Sequence, residues 1–283
     1  MLAGTLATDG GRAAGAYNAI LFGDFAALVA SLLLTYIVFK KTSWIIKAVA
    51  CVSLLCATQA MILSGTRGAW LGLAASALMI SVFFLASHPT IKKVSSRLII
   101  LSLAGLAIGL VAFTTQNISS RIHGGYQEFQ LYVSGEDPNT SVGLRFQMWE
   151  AGVKMWLKNP IVGSGLGDYS VDLAKMIESG ESKMAYHFGE AHSLFFEFLG
   201  TTGTLGFTTC IFGLFIFPFL IVTKRLSTHP ASFAILGALV VIVCFASFGV
   251  SQNWLGRSSI TSIYILALAV FIQLVYKVDR ISR

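Results

Sequence analysis

Apolar side chains in this chain come in long runs that polar residues interrupt only at intervals, and each run has the length of a bilayer crossing. A hydrocarbon core of about 30 Å needs about 20 residues of helix. Seven segments qualify: 17–39, 43–63, 68–87, 98–115, 203–223, 231–250 and 258–276. One long polar stretch lies between the fourth and the fifth. The pattern predicts an all-α, polytopic transmembrane helical bundle with one large loop that contains helices of its own. It divides into residues 1–115 with four spans, the loop 116–191, and residues 192–283 with a re-entry helix and three spans.

Within the loop, Phe146, Trp149, Val153, Trp156 and Leu157 recur at helical spacing and predict a helix over 141–159 with one apolar stripe laid on the bundle or the bilayer surface. Glu150 and Lys154 form an i,i+4 pair on it. Pro160 disfavours helical geometry at Asn159 and ends it. The following Gly163-Ser164-Gly165-Leu166-Gly167 reads as a flexible turn. A phosphate-cradling loop would need a Lys-Ser/Thr partner and a preceding strand, and neither is there. Glu136-Asp137-Pro138-Asn139 reads as a turn.

Composition agrees with the membrane reading. Of 283 residues 55% are apolar and only 12% charged, with a mean hydropathy of +0.75; soluble domains carry about 25% charge. The net charge of +7 is placed by topology and not by nucleic acid. Lys40, Lys41, Lys92, Lys93, Arg97, Lys224, Arg225, Lys277, Arg280 and Arg283 fall on one side if the spans alternate, and the positive-inside bias makes that side cytoplasmic. The opposite, periplasmic side then carries Arg12, the Ser64–Gly68 turn, the loop and the Ser251–Arg257 turn. Cys51, Cys56, Cys210 and Cys244 all sit in apolar runs without C-x-x-C spacing and are expected to be small buried residues. The stretch before the first span carries Asp9 and Arg12 and has no signal-peptide pattern, so that span is expected to insert as an internal signal or to follow a longer sequence.

Candidate chemistry collects on the outer side. Arg67 stands at a span boundary, where an Arg either snorkels or meets an anion. Arg145 opens the loop helix, whose positive end it does not favour, and a bound anion would relieve that conflict. His192, in Glu190-Ala191-His192-Ser193, stands where the loop re-enters the apolar run; a neutral imidazole can take a proton from a hydroxyl. His187 is not at ligand spacing from it. Arg257 and Asn253 lie in the last outer turn, and Arg12 and Asn18 flank the first span. No grouping of Asp, Glu, His or Cys has metal-ligand spacing, so neither a metal nor another cofactor is expected. Guanidinium forks suit phosphate oxygens, and a bundle offers room for a lipid tail.

Several segments together resemble one family. Ser64-Gly65-Thr66-Arg67-Gly68-Ala69 is similar to the S-x-[ST]-R-[GA] element of the O-antigen ligase and polymerase superfamily. Arg145 to Gly152, followed by Asn159-Pro160 and Gly163-Ser164-Gly165, resembles its periplasmic loop helix and turn. His192 to Glu197 with Gly203-Thr204-Leu205-Gly206 resembles its re-entry helix. Arg12 to Gly15 with Asn18, and Trp254 to Arg257, are weaker matches.

The resemblance implies an inner-membrane glycosyltransferase that takes O-antigen polysaccharide from undecaprenyl diphosphate and attaches it to a sugar hydroxyl of lipid A–core. It corresponds to the C-terminal part of such proteins. His192 would be the general base, and Arg67, Arg145, Arg257 and Arg12 would bind the diphosphate-linked substrate, with inversion and without metal. The partners implied are the undecaprenyl-diphosphate-linked glycan, the lipid A–core acceptor and membrane lipids. An O-antigen polymerase and a protein O-oligosaccharyltransferase are alternatives within the superfamily. A lipid or polysaccharide transporter is the alternative of another class; such proteins keep polar residues near the midplane on inverted repeats, whereas here Asp24 is the one acid deep in a span. Arg67, Arg145 and His192 are expected to converge within roughly 15 Å, tightening on substrate.

Overall fold

The computed structural model describes residues 8–9, 12–15, 18–87, 116–182, 184–226 and 232–281. The expected span at 98–115 and the basic cluster Lys92, Lys93 and Arg97 lie outside them. The helices run α1 (Ala19–Phe39), α2 (Trp44–Ser64), α3 (Arg67–Ser87), α4 (Gln116–Ser134), α5 (Ser141–Lys158), α6 (Tyr169–Glu178), α7 (Leu194–Ile211), α8 (Phe217–Thr223), α9 (Phe233–Ser251) and α10 (Ser258–Ile281), with a π-helical turn at Phe212–Ile216. A two-residue antiparallel pair, β1 (Thr8–Asp9) with β2 (Arg12–Ala13), precedes α1. The fold is all-α, and six helices among the described residues are long and apolar enough to cross a membrane. They coincide with six of the seven expected spans.

One compact unit comprises the chain up to Lys93 together with Gly213–Arg283. Asn18 caps α1, its Oδ1 accepting from the Leu21 amide at 2.9 Å. Gly65 takes the left-handed conformation (φ 61°) that stops α2 and lets α3 start two residues later. The Thr66 hydroxyl donates to the Ala19 carbonyl (2.9 Å), and a Cβ on Gly68 would lie 2.0 Å from the Ser251 hydroxyl. The starts of α1 and α3 and the ends of α2 and α9 therefore share one end of this unit. At the other end Tyr36 meets Phe233 edge-on, and the Arg225 guanidinium stands 5.1 Å over the Tyr276 ring. α9 is apolar along its length and buried over most of its surface, as a helix packed on several neighbours must be. Pro218 has no N–H for the Leu214 carbonyl one turn back, and the Tyr264 hydroxyl donates to that carbonyl instead. Of the cysteines only Cys244 is buried; Cys51 and Cys56 are exposed on α2 and Cys210 is partly exposed, so the expectation of four buried thiols is corrected.

The second unit is Val94–Phe212. The α5 boundaries follow from its ends: Thr140 Oγ1 accepts from the Gly143 amide at 3.1 Å, and Asn159-Pro160 closes the helix. Its buried face is Gly143, Gln147, Met148, Ala151, Gly152 and Met155, rotated from the stripe read in the sequence, and Leu157 is exposed. Trp149 and Trp156 do turn to α7: Trp149 stacks on Phe196 at 5.1 Å, and Trp156 Nε1 donates to Thr204 Oγ1 at 3.0 Å. The rotation follows from backbone proximity. A Cβ at Gly152 would come within 2.6 Å of the Phe196 carbonyl, and one at Gly200 within 2.8 Å of the Gly152 carbonyl. Met148, Met155, Tyr169, Leu173, Met176 and Met184 form the core beneath.

The glycine-rich turn is held, not loose. Gly203 breaks α7 with φ 62° and ψ −169°, and the freed groups pair with 160–165: Thr204 N to Pro160 O (2.8 Å), Leu205 N to Ile161 O (3.0 Å) and Gly165 N to Thr201 O (2.8 Å). A helical run from Leu194 to Thr223 is 30 residues long. That is roughly 45 Å at 1.5 Å per residue, more than a hydrocarbon core of about 30 Å. The break at Gly203 divides it into a short piece and a membrane-length piece.

Candidate functional site

In the first unit the Ser64–Gly68 turn is a hub. Arg12 donates from Nε to the Ser64 carbonyl (2.6 Å) and from Nη2 to Thr66 Oγ1 (3.2 Å). Arg67, the next residue, is exposed at the first position of α3. The Gln252–Arg257 turn begins beside it through the Gly68–Ser251 approach, so Arg12, Arg67 and Arg257 belong to the same end of this unit. Arg257 is half-buried, and its amide donates to the Trp254 carbonyl at 3.0 Å. Trp254 is fully buried among Phe215, Phe245 and Tyr264, which fixes the turn.

Sequence reasoning noticed Asp24 but not its partner. Asp24 is buried in α1, and the Gln252 amide donates to its Oδ2 across 228 residues of chain. Side chains that pair across such a separation leave no local signal; the one available hint was a Gln immediately after an apolar span, facing an acid in another.

In the second unit α5 and α7 pack in parallel. Trp149 lies on Phe196 and Gly152 beside Gly200, which sets the N-terminal ends of the two helices at the same end of the pair. Arg145 and His192 are thus brought to the same end of the unit, at the N-terminal ends of adjacent helices. Arg145 folds back along its own first turn, Nη1 donating to the Ser141 carbonyl (3.1 Å) and hydroxyl (2.9 Å).

His192 is the non-glycine residue that holds positive φ (48°) among the described residues. Such a conformation costs about 1–2 kcal/mol for a residue with a Cβ. It is imposed from both sides: Leu194 begins a helix at once, and Glu197 Oε2 reaches back to accept from the Ala191 amide at 2.9 Å. The imidazole Nδ1 stands 3.4 Å from Glu190 Oε1, and the ring meets Phe188 edge-on; the side chain is 27% exposed, so one part of the ring still reaches solvent. Glu190 is the contribution that sequence reasoning left unassigned. An acid two residues before a His, across a turn, was the signal for it.

Neighbouring polar groups are structural. Tyr169 donates to the Met148 carbonyl at 2.7 Å, and burial, with the Glu197 charge second, pushes its phenol well above the ordinary range, so it stays a donor. His187 Nε2 donates to the Ser170 carbonyl at 2.9 Å, which ties the 184–191 segment to α6. Among the described residues no group of three or more His, Cys, Asp or Glu could hold a metal ion.

Comparison with known proteins adds to this geometry. A family described as O-antigen ligase matches residues 52–211, more than half of the chain. A protein of Haemophilus influenzae, itself described as uncharacterized, is 29% identical over 262 residues, covering 89% of this chain. The chain spans 64% of the length of that relative.

Proposed function

The chain belongs to the O-antigen ligase family, and on that premise we propose that it moves O-antigen polysaccharide from undecaprenyl diphosphate to a sugar hydroxyl of lipid A–core, at the periplasmic face of a bacterial inner membrane. One bond forms and one breaks. The acceptor oxygen attacks the anomeric carbon opposite the diphosphate. The bond from that carbon to the phosphate oxygen breaks, the diphosphate leaves with the electron pair, and the configuration inverts.

The acceptor proton passes to His192 Nε2. Glu190, beside Nδ1, favours the tautomer with Nε2 open and stabilises the imidazolium that forms. Arg145 at the start of α5, with Arg67 and Arg257, takes the oxygens of the leaving diphosphate as charge develops on them. Arg12 works through the Ser64–Gly68 turn, which it grips and which carries Arg67.

The observation that carries this reading is His192 itself: a strained backbone and a carboxylate beside one ring nitrogen. Strain held at a residue able to move protons supports a functional role. The test is expression in ligase-null and polymerase-null bacteria, reading the lipopolysaccharide ladder on a gel. A ladder restored in the first strain alone is the expected result. Conversion of single repeats to long chains in the second would move the assignment to a polymerase, and no change in either would overturn it.

A further inference from the structure

The helical piece that starts after the Gly203 break has no length to spare. From Thr204 to Thr223 it holds about 20 residues, the number that crosses a hydrocarbon core of about 30 Å, and Lys224 and Arg225 follow directly. Those two cations belong among headgroups at one membrane surface. Thr204 and Leu205 therefore stand at the hydrocarbon boundary of the other. Trp156, whose Nε1 donates to Thr204 Oγ1 at 3.0 Å, has the place of an aromatic-belt residue there.

Backbone hydrogen bonds tie the turn after α5 to this boundary. The Thr204 amide donates to the Pro160 carbonyl and the Leu205 amide to the Ile161 carbonyl. Beside these bonds the side chains are apolar and bare: Leu157, Ile161, Val162, Leu166 and Leu205 are 62–75% exposed. Clustered apolar exposure of this kind marks a surface that meets lipid or another protein. The backbone decides for lipid. Irregular chain enters an apolar medium only where its own polar groups are paired. Here the carbonyls of Asn159, Pro160 and Ile161 each accept an amide, and Pro160 has no N–H to satisfy. Lys158 on one flank and Asp168 on the other are exposed charges, which limit the depth to the interface.

We propose that the 157–166 turn is a bilayer-dipping element: Ile161, Val162 and Leu166 insert among the acyl chains of the leaflet in which the 204–223 span begins. The depth is about 5–10 Å, that of an interfacial apolar face. The proposal asks nothing of His192 or of the arginines, so it stands or falls apart from the transfer reaction.

The test is electron paramagnetic resonance on the full chain in nanodiscs of phosphatidylethanolamine and phosphatidylglycerol. A nitroxide is placed at Val162→Cys and, separately, at Leu166→Cys, in a background without the native cysteines. Both positions are exposed, so the label displaces no core packing. Its collisions with oxygen, which concentrates in lipid, are compared with those with a water-soluble nickel chelate. Leu205→Cys, at the start of the span, and the exposed Asn139→Cys, in the polar turn before α5, are the references. Oxygen should dominate at 162 and 166 as at 205, and the chelate should dominate at 139. Chelate collisions at 162 and 166 as frequent as at 139 would overturn the proposal. So would exclusion of both reagents there, which is the signature of contact with another protein surface.

Discussion

His192 keeps its backbone at φ 48°, where glycine sits without penalty and any other residue loses about 1–2 kcal/mol. Two substitutions separate strain from chemistry. His192→Gly should raise the thermal midpoint of the purified protein by a few degrees, whereas His192→Ala should leave it nearly unchanged. Both should lower glycan transfer by about 10²–10⁴-fold, the contribution of a positioned base. Near-normal transfer in either variant would remove His192 from the chemistry. At Arg67 and Arg145, Ala should weaken use of the diphosphate donor and Lys should restore it only in part, because an ammonium lacks the planar fork. Kinetics against donor concentration decide this; full rescue by Lys at both sites would mean that charge alone suffices. His192 and these arginines stood out in the sequence because each was polar at the edge of an apolar run. Glu190 and Gln252 did not, since their meaning lies in what the fold puts next to them.

At the scale of elements, the seam between the Pro160–Gly165 turn and the broken α7 is where the loop unit is most tightly specified. A Cβ at Gly163 would lie 2.3 Å from the Thr201 carbonyl, and one at Gly203 2.5 Å from the Ile161 carbonyl, both on backbones with positive φ. Gly203→Ala or Gly163→Ala should therefore destabilise by about 2–4 kcal/mol, overpacking adding to the backbone term. Limited proteolysis across 159–168 checks this: cleavage should be much faster in either variant, and an unchanged digest would show that the seam relaxes cheaply. The α5 boundaries were readable to within a residue because capping and proline stop signals are local. The helix face that is buried was not. Large aromatic residues marked one stripe, but the glycines Gly152 and Gly200 set the contact by letting two backbones approach, and an absent side chain leaves no mark in a hydrophobic period.

On the scale of the whole molecule, the spans were legible because twenty apolar residues in a row have few other solutions, and six of them are found as expected. Orientation rests on charge. In a cysteine-free background, Gly256→Cys should react with an impermeant maleimide added outside spheroplasts, and Lys40→Cys should not; the reverse pattern would invert the topology. If arginine neutralises the leaving diphosphate as proposed, transfer should be insensitive to EDTA. A strict need for added divalent metal would overturn this expectation. The convergence of the arginines with His192 is a matter for variants combined in pairs: Arg67→Ala and Arg145→Ala should be less than additive in their effect on transfer if both hold one substrate.

The seam at Gly203 also sets an order of events during synthesis. The Pro160–Gly165 turn leaves the ribosome about forty residues ahead of Thr201–Leu205, and at roughly 5–20 residues per second it waits on the order of 2–8 s for its partner. Through that interval the carbonyls of Pro160 and Ile161 have no amide to receive, and the nascent loop cannot close. Its completion is timed by elongation of the downstream helix and not by its own length. Slow codons between the two partners would prolong the open state, and they would do so without altering a single residue of the finished protein.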